Sequence, residues 1–314
     1  MSARVDKVLI IGLGLIGGSL ARGLKRSGFA NHIAAYSYRD GSLKKGLELG
    51  VIDSYTLDLE EALAGADIIV IGAPTLAAAE LLRDILPLVP ANAVITDVAS
   101  VKGNLVQAYM AARDALSVGT NKDSADSPAG TNKPSPSFPE FVPGHPIAGS
   151  EQSGVEASNV DLFVDHRVIL TPLPEGDPAA VALIRAMWEC TGAELVEMEV
   201  VQHDAILAAT SHLPHVLAYS LVDALAQSDL SEDIFRFAAG GFRDFTRIAS
   251  SDPVMWRDIA IANREQLLNA IDQFSTHLAV LRQAVDQSDS AALEHTFFAA
   301  KQARDAFVQK KESS

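Results

Sequence analysis

Within the first twenty residues an apolar run, Val8-Leu9-Ile10-Ile11, passes directly into Gly12-Leu13-Gly14-Leu15-Ile16-Gly17 and then Gly18-Ser19. A G-x-G-x-x-G string alone says little. Here a strand pattern over 7–11 precedes it and a helical pattern over 16–27 follows, which restricts this part of the chain to a βαβ unit. Gly12 permits the tight turn, Gly14 lets a pyrophosphate approach the backbone, and Gly17 lets the helix pack close to the strand. The helix start then offers amide N–H groups to phosphates. Leu13, Leu15 and Ile16 belong to the same turn and are counted with it as cofactor contacts.

The alternation continues. A strand is predicted over 32–36 and a helix over 42–49, then apolar strands over 68–73 and 93–98 with a helix over 76–86 between them, and a helix over 104–116. Strands alternating with helices imply a parallel sheet. Residues 117–139 are rich in Ser, Pro, Asn, Asp, Gly and Thr, so they read as a flexible surface insertion. An apolar strand over 141–146 ends in His-Pro. Strands over 167–171 and 194–198 enclose a helix over 178–190, and from Val200 onward the pattern is helical. The pattern Val216, Leu217, Tyr219, Ser220, Leu221, Leu225 makes one of these helices apolar on most faces, which predicts burial. Long apolar helices suggest a dimer interface. The expected fold is α/β: an N-terminal Rossmann-type doubly wound parallel sheet over 1–173 and an all-helical dimerisation and substrate domain over 174–314.

The 314 residues exceed the roughly 250–300 that one core serves, so two domains are expected. A net charge of -15 excludes nucleic acid as a partner, and an anionic substrate must be met by a few local cations. The single cysteine, Cys190, permits no intrachain disulfide and fits a reducing compartment; its neighbours give it no nucleophile context, so it is read as packing. The apolar N-terminal run is interrupted by glycines and lacks a cleavage site. No run reads as long and apolar enough to span a bilayer. The expected location is the cytoplasm, with no membrane partner.

Four further clusters carry chemistry. Tyr36-Ser37-Tyr38-Arg39 follows the second strand, where an NAD enzyme usually offers an acid to the ribose 2′-OH. Ser37 stands in that place with Arg39 beside it and Asp40 farther on, which leans toward NADP or dual use; Arg39 as a plain solvated charge is the other reading. Ala73 and Pro74, at the end of the strand over 68–73, are further expected cofactor contacts. Asp97-Val98-Ala99-Ser100-Val101-Lys102 lies at a strand's carboxyl end, where open α/β sheets bind ligands. Ser100 suits a bond to a substrate hydroxyl or to the nicotinamide, and equally an N-cap; Lys102 suits compensation of an anion. Gly144-His145-Pro146 follows at another strand end, where His145 is either a structural histidine or the acceptor of an alcohol proton. In Ser211-His212-Leu213-Pro214-His215 the two histidines share a helical face, without the spacing of a zinc site, so no metal is expected. In Gly240-Gly241-Phe242-Arg243-Asp244-Phe245-Thr246-Arg247 a helix would project Arg243 and Arg247 together, as a carboxylate trap or as a solvated face.

Taken in order, the segments 12–19, 97–102, 145–151, 211–215 and 240–249 resemble the prephenate/arogenate dehydrogenase family over nearly the whole chain, apart from 117–139 and the extreme C-terminus. That resemblance implies a Rossmann domain and a helical dimerisation domain with the active site in a cleft. It implies NAD or NADP as cofactor and oxidative decarboxylation of prephenate to 4-hydroxyphenylpyruvate in tyrosine biosynthesis, with arogenate as the alternative substrate and Gln152 a candidate discriminator. His145 is implied as the catalytic histidine, with Ser100 orienting the ring hydroxyl and the nicotinamide. Arg247 is implied to bind a substrate carboxylate, with Arg243, His215 and His212 nearby, and Ser150, Glu151 and Asp244 supply polar and ionic contacts. A neutral histidine is required, so activity is expected to fall as His145 protonates. Against the family pattern the chain has no acid at Ser37, and a monofunctional enzyme, without a mutase domain ahead of the glycine turn or a regulatory tail, is expected. Two rivals stand beside it. A hydroxy-acid dehydrogenase of the 6-phosphogluconate type needs a catalytic lysine that no motif supplies. A dinucleotide-binding sensor needs no turnover.

Overall fold

The computed structural model describes residues 5–122, 138–149 and 152–312. Six strands, β1 (Val5–Ile11), β2 (Ala30–Tyr36), β3 (Ser54–Thr56), β4 (Ile68–Ile71), β5 (Val94–Asp97) and β6 (Glu140–Val142), form one sheet in the order β3-β2-β1-β4-β5-β6. Every pair is parallel. This is the doubly wound order, with its reversal between β1 and β4, where such sheets bind nucleotides. The crossovers are α1 (Leu15–Ser27), α2 (Gly41–Glu48), α3 (Leu59–Leu63), α4 (Thr75–Ile85) and α5 (Gly103–Lys122). Successive residues of β1 serve opposite faces. Val8 and Ile10 enter a core with Leu20, Leu24 and Trp188, while Leu9 and Ile11 enter a second one with Leu82, Ile85 and Phe141. A sheet covered on both faces needs apolar residues at both parities, which is why these strands read as unbroken apolar runs.

β3 and α3 have no counterpart in the pattern reading. Both are too short to show a period, although Asp58 announces α3 by accepting the Glu61 amide at 2.9 Å. The strand expected over 141–146 is in fact two. Pro143 has no N–H to continue a ladder, so the chain leaves the main sheet after β6 and enters a second one as β7 (Gly144–Pro146). There β7 pairs antiparallel with β8 (Arg167–Leu170), and β8 pairs parallel with β9 (Glu194–Glu197). Between them α6 (Pro178–Glu189) starts at Asp177, whose carboxylate accepts the Ala179 amide at 2.9 Å, and buries Met187 and Trp188 in the first core. Cys190 donates to the Met187 carbonyl, a packing role. The expected division at 173/174 falls between β8 and α6, and α6 and β9 stay with the sheets of the first half.

The rest of the first compact unit, Met1–Arg264, is helical. It holds α7 (Val200–Leu207), a π-helical turn (Ala208–His212), α8 (Leu213–Ala226), α9 (Ser231–Arg236), α10 (Gly240–Thr246), a 3-10 turn (Arg247–Ser250) and α11 (Pro253–Ala262). Helix α8 was expected to be buried, yet within one chain only Ala218 is fully so. Val200–Ala226 is also long and apolar enough to cross a membrane by length and composition, which overturns the expectation that no run is. Its polar residues His203, Asp204 and His212 are nevertheless buried in protein. The second unit, Glu265–Ser314, carries α12 (Arg264–Asp286) and α13 (Ser290–Glu312), with Phe274, Leu278, Phe297 and Phe298 exposed.

Candidate active site

The glycine turn behaves as its residue types demand. Gly12 has φ +96°, and a Cβ there would stand 2.8 Å from the Gly72 carbonyl at the end of β4. A Cβ on Gly17 would stand 2.7 Å from the Gly12 oxygen. At Gly14 a Cβ would meet no protein atom within 4 Å, and no side chain caps α1. The turn is therefore tight where chain meets chain and open in front of the helix start, which fits the pyrophosphate of a dinucleotide. Leu13 is buried and its side chain packs against Gly46, so it has only backbone to offer a ligand; Leu15 and Ile16 are half-buried. Ala73 adjoins Gly12, its amide nitrogen 3.2 Å from the Gly12 Cβ position, and Pro74 follows it, exposed. Beyond β2, Ser37 is half-buried and Arg39 exposed, while the Asp40 carboxylate is held by Lys44 at 2.5 Å.

The second part of the site lies past the carboxyl ends of β5 and β6. His145 is buried, and its Nδ1 lies 2.9 Å from Nε2 of His203. His203 Nδ1 lies 2.7 Å from Asp204 Oδ1. The Asp204 carboxylate in turn accepts the amides of Lys102 at 2.9 Å and Gly103 at 2.8 Å. Burial first, then the neighbouring His203, Lys102 and His212, hold the His145 imidazole well below its usual pKa, so it is neutral at physiological pH. A cavity of about 320 Å³ opens beside it, lined among others by Ser100, His145, Thr210, His212, Met255 and Trp256.

Two expectations change here. Lys102 does not face an anionic ligand: it is fully buried, paired with Asp97 and donating to the Gly144 carbonyl at 2.6 Å. Asp97 also accepts the Gly144 amide at 3.2 Å. Nor does Ser100 cap the next helix, because α5 begins at Gly103 and Asp204 takes its first amides; Ser100 lines the cavity instead.

His212 and His215 flank one tryptophan. His215 is stacked on Trp256 with centroids 3.5 Å apart, and His212 meets it edge-on at 6.1 Å. The Asn263 amide nitrogen lies 3.1 Å from His212 Nδ1 and donates to the Asp204 carbonyl at 2.8 Å, while His212 Nε2 is buried without a hydrogen-bond partner. Desolvation lowers His212 to about 4. His215 is lowered too, by burial and by the Arg247 guanidinium, against a bond to the Ser211 carbonyl. Arg247 is thus close to His215, but it does not line the His145 cavity, and it stands where α10 passes into the 3-10 turn. Arg243 and Asp244 project from α10, both strongly exposed and 3.8 Å apart. Ser150 and Glu151 lie outside the described residues. Among the described residues no three His, Cys, Asp or Glu side chains converge to hold a metal ion.

Sequence reasoning missed His203 and Asp204. The signal was present: an adjacent His-Asp pair at the start of an apolar helical stretch needs buried partners.

A parallel doubly wound sheet with an open glycine turn, joined to a helical half that completes a histidine cavity, defines a dinucleotide-dependent dehydrogenase. Two family models match the chain: "Prephenate dehydrogenase, nucleotide-binding domain" over residues 20–121 and 130–197, and "Prephenate dehydrogenase, dimerization domain" over 199–299. The chain belongs to the prephenate dehydrogenase family. It is 36% identical to a prephenate dehydrogenase of Bacillus subtilis, over 97% of this chain and 77% of that one. It is 33% identical to a cyclohexadienyl dehydrogenase of Zymomonas mobilis, over 95% and 94%. The crystal structure of prephenate dehydrogenase from A. aeolicus in complex with hydroxyphenyl propionate and NAD+ superposes with a TM-score of 0.83 at 34% identity, covering 97% of this chain and 99% of that one.

Proposed function

We propose that this chain catalyses oxidative decarboxylation of prephenate to 4-hydroxyphenylpyruvate, with His145 as the base. The observation that carries this is a neutral, buried imidazole in the wall of a cavity at the carboxyl edge of the sheet, with Ser100 in the same wall. A bound nicotinamide would supply the acceptor for the hydride of the hydroxyl-bearing ring carbon. His145 Nε2 accepts the hydroxyl proton as that carbon becomes a carbonyl. The ring carboxylate then leaves as carbon dioxide, its electrons aromatise the ring, and His145 returns the proton to the oxygen. Ser100 orients that oxygen. Beyond that proton transfer the protein's task is orientation and charge placement, because aromatisation supplies the driving force.

Arg247, with His215 and Arg243, is the cation set for a substrate carboxylate. Its support is that Arg247 acts electrostatically on His215, which is stacked on Trp256 in the cavity wall. Asp244 belongs to the rim of that set. The family's dimerisation domain and the exposed apolar surface of α8, α12 and α13 favour a homodimer. Ser37 at the ribose position, with Asp40 engaged by Lys44, favours NADP or dual use over strict NAD dependence. A reducing compartment, the cytoplasm, suits the single packed thiol.

Initial rates with prephenate and with arogenate, each with NAD and with NADP, test the reading in one experiment. Prephenate turnover is expected with NADP at least comparable to NAD, and His145→Asn should lower kcat about 10²–10⁴-fold while dinucleotide binding survives. A chain that oxidises arogenate alone overturns the substrate, and an active His145→Asn overturns the base.

A further inference from the structure

His145, His203, Asp204 and the first turn of α5 form one line of hydrogen bonds that nothing in the reaction as described above uses. We infer that His203 and Asp204 are positioning residues that fix the ring tautomer of His145, leaving Nε2 as its acceptor nitrogen. The inference rests on the proposed role of His145, and it follows from counting protons along the line.

An ionised carboxylate only accepts hydrogen bonds. Asp204 is kept ionised by the bonds it takes from His203 and from the Lys102 and Gly103 amides, which outweigh burial and hold its pKa low. The proton in the 2.7 Å contact with Asp204 therefore belongs to His203 Nδ1. In neutral His203 the other nitrogen, Nε2, is then a lone pair. It lies 2.9 Å from His145 Nδ1, a distance that requires a proton between the two nitrogens. That proton belongs to His145 Nδ1. The nitrogen left to the cavity, Nε2, is unprotonated and ready to accept. The donors point one way throughout, from His145 to His203 to Asp204. The nitrogens are committed in a line to one another and do not converge on a point, which separates this cluster from a metal site. When Nε2 takes a proton, the positive charge that appears on His145 is stabilised along the line by the Asp204 carboxylate. The helix start behind it holds that carboxylate in place without side-chain freedom.

Nitrogen-15 NMR of the imidazole groups in the full-length protein reads the tautomer without any turnover. The free enzyme at neutral pH should show His145 with a protonated Nδ1 and a bare Nε2. An Nε2-protonated neutral His145 overturns the proposal. It would also be overturned by a cationic His203, which reverses the line.

Asp204→Asn replaces an acceptor with an amide and should invert or scramble the His145 tautomer. Because Asp204 also caps α5, that variant is paired with two at His203. His203→Gln can present its amide oxygen to His145 Nδ1–H and should retain the tautomer and kcat within about tenfold. His203→Leu offers no acceptor and should lose the tautomer bias and at least about 100-fold in kcat, with KM for the dinucleotide little changed. A His203→Leu enzyme with an unchanged tautomer and unchanged kcat overturns the relay. If instead the tautomers behave as stated but His145→Asn remains active, the relay stands and the catalytic reading of His145 fails.

Discussion

The glycine turn at 12–17 and the cavity beside His145 lie in the same unit but are put together in opposite ways. The turn is built mainly of backbone. Its six residues are contiguous, its closest approaches are to the main chain of Gly12 and Gly72, and its opening is a place where side chains are missing. The cavity is gathered from distant elements. Its histidine stands on β7, the partners of that histidine on α7, its serine past β5, and its far wall on α11 and the π-helical turn, with sequence separations of 58 between His145 and His203 and 102 between Lys102 and Asp204. A site made by omission tolerates local change and fails only toward its ligand. A site made by convergence depends on buried polar groups that must all be satisfied at once.

That contrast breaks most visibly at Lys102. Lys102→Met leaves the Asp97 carboxylate buried without its cation, and should cost about 3–5 kcal/mol, read from the urea midpoint. A loss below about 1 kcal/mol would mean that the centre is far less interdependent than its hydrogen bonds suggest.

Acid should undermine the same region next. His212 holds its proton less well folded, at about 4, than unfolded, near 6.5. The unfolded chain therefore binds more protons as pH falls between those values, and stability declines through that window by about 3 kcal/mol from this group. His145 acts in the same direction. His212→Gln should flatten the pH dependence of the unfolding midpoint; an unaltered slope would show that His212 is hydrated. The lowered His145 value also moves the acid limb of kcat well below 6.5, farther than an ordinary histidine would place it.

The glycine turn should give the smallest and most selective response. Gly14→Ala places its methyl in open space, so folding stability should change by less than about 0.5 kcal/mol. Dinucleotide affinity should nevertheless weaken about tenfold or more, a loss of about 1.4 kcal/mol by titration calorimetry. Equal damage to folding and to binding would place another part of the protein in front of α1 and erase the distinction between the two regions.

The same distinction explains what could be read in advance. The turn was legible because its whole logic fits into consecutive residues between a strand period and a helix period. Ser100 and His145 were legible as residues at strand ends, and the cavity joins them. Lys102 was misjudged because nothing in Asp-Val-Ala-Ser-Val-Lys says that the chain curls back to bury its own amine against its own carboxylate. The 141–146 segment looked like a single strand because apolar composition continues across Pro143, and only the missing N–H divides it. Helix α8 was predicted to be inside because it is apolar, but apolarity does not say whether the cover comes from the same chain. His203 and Asp204 were passed over because their partners lie on α5 and β7, which no local period connects to α7.

Gly144 stands immediately before the proposed base, and both its peptide groups end on the buried ion pair. Substituting two well-packed apolar residues for such a pair is often harmless and sometimes stabilising. In this molecule the exchange would strand an amide and a carbonyl in a dry interior, each without water to turn to. An engineer seeking a hardier variant is therefore better advised to work elsewhere, since the charges at 97 and 102 are the scaffold on which the main chain leading to residue 145 is hung.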